Sequence, residues 1–352
     1  MKYPALQPFP ELVQRLDQFD QIIDVRSPAE FALDHIPGAI NCPVLDDDER
    51  IRVGTMYKQV NAFEAKKTGA ALVARNIARH IEAQFLNHPK DWSPLVYCWR
   101  GGNRSGSMAL ILAKIGWPVV QLEGGYKAFR QHVNTELDGL SSQFQYRVIC
   151  GTTGSGKSRL LQALQAQGAQ VLDLERLAAH RGSVLGDLPG VPQPSQKSLE
   201  TAIWNTLRQF DPARPVFVES ESRKVGNLRV PARLIDCMRE APCINLETSI
   251  EDRVALLMDE YAYFSSRPDE LIKRLNYLTL LHGKEKIRQW KNLVEQNLLT
   301  ELVHELLAMH YDPAYLRSIS RNFPQLVNTP PTRLPGISDQ DLAQLAGQLL
   351  AS

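Results

Sequence analysis

Cys98-Trp99-Arg100-Gly101-Gly102-Asn103-Arg104-Ser105 follows the apolar run Leu95-Val96-Tyr97 and leads into a helical spacing that closes at Gly116. About fifty residues later the arrangement recurs. Tyr146-Arg147-Val148-Ile149-Cys150 runs into Gly151-Thr152-Thr153-Gly154-Ser155-Gly156-Lys157-Ser158, and an amphipathic stretch follows to Gln167, ended by Gly168. Each time a short buried strand delivers a glycine-rich, basic loop to the start of a helix. Strand, anion loop and helix in that order imply parallel α/β architecture, twice over.

Working outward, Ile22-Ile23-Asp24-Val25 and Val119-Val120-Gln121-Leu122 read as further buried strands around the first loop. Met108, Leu110, Ile111 and Leu112 give the intervening segment its helical apolar face. Around the second loop, Val171-Leu172-Asp173-Leu174 and Val216-Phe217-Val218 read as strands. The polar stretch Asp138-Gly139-Leu140-Ser141-Ser142-Gln143 reads as a linker. From Glu251 to Met309 the pattern is helical and charged. Asn322 to Gly336 is proline-rich and reads as an irregular connection, and Ser338-Asp339-Gln340-Asp341 resembles a capping box before a last helix. The expected extents are 1–137 for the first α/β domain, 138–145 for a linker, 146–250 for the P-loop α/β domain, and 251–352 for a helical region packed on the latter.

Bulk composition excludes several classes. The 352 residues are 43% hydrophobic and 22% charged, as in ordinary globular proteins. No apolar run reaches the ~18–20 residues of a membrane span, and Met1-Lys2-Tyr3-Pro4 lacks a signal-peptide core, so the expected location is the cytoplasm. The five cysteines are scattered with no CxxC pair, which argues against a zinc site and a disulfide framework. A net charge of +1 excludes a uniformly basic nucleic-acid binder but leaves room for a local basic face.

The first loop is a thiol site. Inward-pointing backbone N–H groups, the positive end of the following helix, Arg100 and Arg104 all favour thiolate, which makes Cys98 a candidate nucleophile. The second loop matches the Walker A pattern in full. Its glycines let backbone N–H groups close on phosphate oxygens, Lys157 reaches the terminal phosphate, and Ser158 is placed to ligate Mg²⁺. Glu219 stands where a partner acid belongs, with Glu221 close by; a solvated charge is an equal alternative to a metal role. No tightly bound cofactor is expected. Nothing identifies an adenine pocket, and any diphosphate would satisfy the same groups. Lys284, Arg288 and Lys291 share one helical face, and Arg223, Lys224, Arg229 and Arg233 cluster after Glu219. Both groups suit an RNA backbone, although a charged helix with Glu285 as counter-ion explains the first equally well.

Asp24-Val25-Arg26-Ser27-Pro28-Ala29-Glu30-Phe31 with His35-Ile36-Pro37-Gly38-Ala39-Ile40-Asn41, and Leu122-Glu123-Gly124-Gly125-Tyr126-Lys127-Ala128-Phe129-Arg130, resemble the motifs that flank the active cysteine of rhodaneses. The loop here is C-x5-R, one residue longer than the common C-x4-R. It is thus similar to the wider loops of rhodanese-fold phosphatases that accept a full phosphate group. Cys98-Trp99-Arg100-Gly101-Gly102, Val53-Gly54-Thr55-Met56-Tyr57-Lys58 and Val218-Glu219-Ser220-Glu221-Ser222-Arg223-Lys224-Val225-Gly226 extend the resemblance over essentially the whole chain, to the tRNA 2-selenouridine synthase family.

That resemblance implies action on wobble 2-thiouridine of tRNAs for lysine, glutamate and glutamine. The thio sulfur would be geranylated from geranyl diphosphate held at the P-loop. It would then be replaced by selenium from selenophosphate, carried on Cys98 as a selenenyl sulfide with Arg100 and Arg104 balancing charge. A monomer with no membrane partner is expected. Two other readings remain open at this point: an ATP-dependent sulfurtransferase with a Cys98 persulfide, and a non-catalytic rhodanese-like module joined to a nucleotide switch.

Overall fold

The computed structural model describes residues 3–351. The chain folds as two units. The first comprises Met1–Leu137 together with Pro194–Asn205; the second comprises Asp138–Gln193 and Thr206–Ser352.

The first unit is built on five parallel strands: β1 (Ala5–Pro8), β2 (Gln21–Asp24), β3 (Ala39–Asn41), β4 (Pro94–Tyr97) and β5 (Val120–Glu123). Their order is β1-β5-β4-β2-β3. β4 is central and buried at all four positions, as expected of a strand covered on both faces. Its register sets Asp24 opposite Tyr97, so two motifs distant in sequence end level with Cys98. The segment carrying Val53–Lys58 forms the helix Asp47–Gln59, started by a capping box between Asp46 and Glu49.

The second unit begins with β6 (Tyr146–Cys150), β7 (Gln170–Leu172) and β8 (Val216–Glu219). A small antiparallel pair follows, β9 (Lys224–Val225) with β10 (Leu228–Arg229), and then β11 (Cys243–Glu247) and β12 (Pro331–Arg333). Apart from the small pair, these strands form one parallel sheet in the order β12-β11-β6-β8-β7. The last helix, Asp339–Ala351, starts at the expected box: Ser338 Oγ and Asp341 hydrogen-bond each other reciprocally. It packs on the helix after the P-loop, burying Leu342, Leu345 and Ala346 against Leu160, Leu161 and Leu164.

Three local expectations need correction. The polar stretch read as a linker is helical through Ser141, because Leu137 and Leu140 continue the buried face of the helix Gly125–Ser141. The proline-rich connection contains a sheet strand, β12. Pro331 is tolerated there because β12 is an edge strand, where a missing N–H costs little. The strand expected through Leu174 stops at Leu172, since the Asp173 carboxylate accepts a hydrogen bond from Arg176 N and starts a one-turn helix. No helix among the described residues is long and apolar enough to cross a membrane.

Candidate functional site

In the first unit Cys98 lies at the end of β4, buried, and Ser105 Oγ donates to its sulfur at 3.3 Å. Gln121 Nε2 donates to Ser105 Oγ at 3.1 Å and to the Gly102 carbonyl at 3.2 Å, which fixes the return of the loop. The helix Asn103–Ile115 begins behind Gly102, and the helix Lys157–Ala166 of the second unit begins behind Gly156. Both glycines have left-handed backbones, φ +75° and +87°. The two anion loops therefore share one turn device, which a side chain would strain.

The flanking motifs form the floor of the thiol loop. Arg26 is buried and grips both Asp24 oxygens at 2.6–3.0 Å while donating to the Asp34 carbonyl. Its guanidinium sits 4.0 Å from the Tyr126 ring centre, and Tyr126 donates its hydroxyl proton to Asp34 at 2.8 Å. Tyr126 N in turn donates to the Cys98 carbonyl at 2.7 Å. Breaking such a buried ion pair would strand a charge. Asp24, Arg26, Asp34 and Tyr126 thus position the cysteine from below.

The two loop arginines differ. Arg100 is exposed and has no acidic partner among the described residues. Arg104 is paired with Glu30 at 2.8 Å. Burial works to raise the Glu30 carboxyl, but the hydrogen bond and charge of Arg104 outweigh it and hold Glu30 below its ordinary value. Arg100 is accordingly the loop arginine whose charge no carboxylate among the described residues balances.

In the second unit the P-loop wraps Lys157, whose Nζ donates to the carbonyls of Gly151 at 2.7 Å and Thr152 at 3.2 Å. Ser158 Oγ donates to Glu175 at 3.1 Å. Glu219, at the end of β8, accepts from Glu175 N at 2.9 Å, and its second oxygen is buried without a partner. The carboxylate that touches the P-loop hydroxyl is therefore Glu175, while Glu219 stands behind it. Burial raises the carboxyls of Asp173, Glu175 and Glu219, and the charges of its three acidic neighbours push Glu219 further. Burial, then the charge of Glu175, pushes Glu221 up to about 8.

Among the described residues no three metal-binding side chains converge on one point, so a divalent cation here would have only the hydroxyl and carboxylate beside the phosphate loop as protein ligands. Ser158 and Glu175 are the residues that would hold it.

The P-loop opens on a cavity of about 670 Å³ that also reaches Glu221, Tyr261, Tyr311 and Tyr315. Against it lies a small apolar slot of about 70 Å³ walled by Leu257, Leu271, Leu302, Leu306, Leu307 and Phe264. Thr153, Ser183, Leu257, Tyr261 and Tyr311 line both spaces.

Residues 9–132 match the rhodanese-like domain family, and residues 144–329 match the family described as tRNA 2-selenouridine synthase AAA domain. The tRNA 2-selenouridine synthase of a Sulfurovum species is 35% identical over 86% of this chain and 89% of its own length. The chain belongs to the tRNA 2-selenouridine synthase family. Synthases from Alcanivorax borkumensis (32% identity, 85% of this chain and 90% of that one) and Marinobacter nauticus (32%, 84% and 87%) are similar over the same extent.

Several residues of the site carry no signal in the sequence. The Tyr315 hydroxyl accepts from Gly151 N at 2.7 Å, and Arg253 Nε donates to the Thr153 carbonyl at 2.9 Å while paired with Asp312. Both come from the helical region and close the P-loop from outside. Glu175 does carry a signal, an acid just beyond a strand, which is hidden when the strand is read through Leu174. Of the basic residues expected to meet RNA, Arg223 borders a cavity next to the P-loop. Lys224 lies in the small antiparallel pair. Lys284, Arg288 and Lys291 lie on the helix Thr279–Glu295, which is interrupted at Gly283, and Arg288 pairs with Glu285 at 2.8 Å.

Proposed function

We propose that the chain converts wobble 2-thiouridine in tRNA to 2-selenouridine in two chemical steps, one at each anion loop. In the first, the thiocarbonyl sulfur attacks C1 of geranyl diphosphate. The C1–O bond breaks, and diphosphate leaves with the electron pair into the amides of residues 151–158 and the Lys157 ammonium. Alkylation turns a poor leaving group into a good one. In the second, the selenium of selenophosphate adds at C2, the geranyl thiolate departs, and water cleaves the P–Se bond to release phosphate; selenium stays at the selenide level throughout, so no oxidant is needed. Cys98 and its loop hold the selenophosphate at the reacting carbon, and Arg100 is the group that meets its phosphate.

The observation that carries the alkyl-donor reading is the shared wall between the P-loop cavity and the apolar slot. A diphosphate in the loop would lie beside a hydrocarbon-lined recess, so one molecule with an anionic head and an apolar tail satisfies both. The slot's apolar walls would take the distal end of the hydrocarbon chain. A divalent cation at Ser158 and Glu175 would supply charge neutralisation for the departing diphosphate.

The test is mass spectrometry of nucleosides from tRNA incubated with the protein, with geranyl diphosphate and selenophosphate supplied separately. Cys98→Ser is expected to accumulate S-geranyl-2-thiouridine and make no 2-selenouridine. Lys157→Ala is expected to block geranylation at low donor concentration. Full selenation by Cys98→Ser would remove Cys98 from the second step, and persulfide transfer driven by ATP without any response to geranyl diphosphate would replace the reading with a sulfurtransferase.

A further inference from the structure

Four arginines surround a second cavity of the P-loop unit. Arg317 and Arg321 stand one helical turn apart on Asp312–Asn322, Arg239 comes from the last turn of Ala232–Glu240, and Arg223 from the loop after β8. With Ala314, Ser318 and Asn322 they line about 540 Å³, and the lining contains no carboxylate. None of the four has an acidic partner among the described residues, and Arg239 Nε is buried with no hydrogen bond. Like charges converging without a counter-ion repel one another, so this arrangement favours an anion.

Ala314, Ser318 and Asn322 also line the P-loop cavity, so one helix face borders both spaces. The diphosphate already has its own cradle in the amides and Lys157. The arginine cavity is open, and Arg223, Arg317 and Arg321 are exposed to water, as suits a polyanion passing over the surface. Planar guanidinium forks match phosphodiester oxygens in pairs.

We propose that Arg223, Arg239, Arg317 and Arg321 bind backbone phosphates of the RNA substrate adjacent to the nucleotide that enters the P-loop cavity. The assignment rests on the tRNA-modifying reading and adds to it the place where the strand is gripped.

The experiment titrates the full chain with a fluorescent anticodon stem-loop carrying 2-thiouridine, at several salt concentrations. Geranyl diphosphate and inorganic phosphate are titrated in parallel. Arg317→Ala/Arg321→Ala is expected to weaken RNA binding roughly tenfold and to lower the slope of log affinity against log salt by about 0.7 for each phosphate no longer neutralised. Arg317→Lys/Arg321→Lys should recover part of that affinity, since charge returns without the fork. Geranyl diphosphate affinity should stay at the wild-type value. Arg223→Ala, on a different element, should give the same signature and guards against a local folding defect in the helix.

RNA affinity and salt slope unchanged in both alanine variants would overturn the site. So would a selective loss of inorganic phosphate or geranyl diphosphate binding, which would assign the cavity to a small anion. Absence of RNA binding by the wild-type chain would sink the tRNA reading itself, a separate and recognisable failure.

Discussion

Gly125 backs directly onto the Cys98 peptide: a Cβ there would run into the Cys98 carbonyl oxygen and lie 3.1 Å from Arg100 N. Its φ of +56° adds strain to any substitution. Gly125→Ala is therefore expected to push the thiol loop off its floor. It should cut selenation by at least an order of magnitude while leaving geranylation at wild-type rates, read by nucleoside mass spectrometry. Equal loss of both products would mean the damage is global.

The apolar slot should set donor chain length. Val303→Phe narrows it and is expected to weaken geranyl diphosphate roughly tenfold, with inorganic pyrophosphate affinity unaltered, because a hydrocarbon unit in a pocket is worth about 1–3 kcal/mol. Leu306→Ala widens it and should raise the relative use of farnesyl diphosphate. Calorimetric titration of the three ligands reads both effects; parallel changes in pyrophosphate binding would separate the slot from the donor.

Glu221 gives the P-loop unit a pH signature. Its carboxyl is raised from 4.5 to about 8 by burial and by Glu175. Between these values the folded chain holds a proton that the unfolded chain has lost, so stability falls as pH rises from about 4.5 to 8 and flattens above. Glu221→Gln should reduce that fall, measured by urea unfolding at pH 5, 7 and 9. Mg²⁺ with pyrophosphate should reduce it in the wild-type chain too, by stabilising the carboxylates. A wild-type curve flat across this window would refute the assignment.

Trp204 is fully buried in the first unit, edge-on to Phe129 and hydrogen-bonded to Glu136 at 2.6 Å. Trp204→Ala should destabilise that unit by about 3–5 kcal/mol. Near-ultraviolet circular dichroism during thermal melting would register an earlier transition; an unshifted melt would mean that the helix Gln196–Leu207 contributes little.

Much of this is legible from local pattern. Both loops, the strands feeding them and the helices leaving them are written in contiguous residues, because a strand–loop–helix turn is a local device. Asp24, Glu30 and Tyr126 stand out as motif members, and the Asp24–Arg26 pair is local, but the pairing of Glu30 with Arg104 and of Tyr126 with Asp34 joins residues far apart in the chain. Tyr315, Arg253 and the face carrying Arg317 and Arg321 escape a reading of the sequence. They come from helices far along the chain, and helical periodicity says nothing of which loop a face will meet. The same holds for β12, where propensity in a Pro-Pro-Thr-Arg stretch argues against a strand and only the neighbouring edge of β11 makes one.

Arg130, in the last segment of the rhodanese-like sequence, hydrogen-bonds the Lys197 carbonyl and Thr201 and pairs with Glu200. The N-terminal unit is therefore unfinished until residue 205 exists. At ribosomal speeds of about 5–20 residues per second, the 68 residues between Leu137 and Asn205 impose a delay of roughly 3–14 seconds. During that interval Phe9 and Phe129 lack the Trp204 ring that packs against them in the finished unit. Translation rate across the P-loop segment is thus expected to influence yield. Synonymous codons slowing that stretch would be expected to increase chaperone dependence without changing a single amino acid.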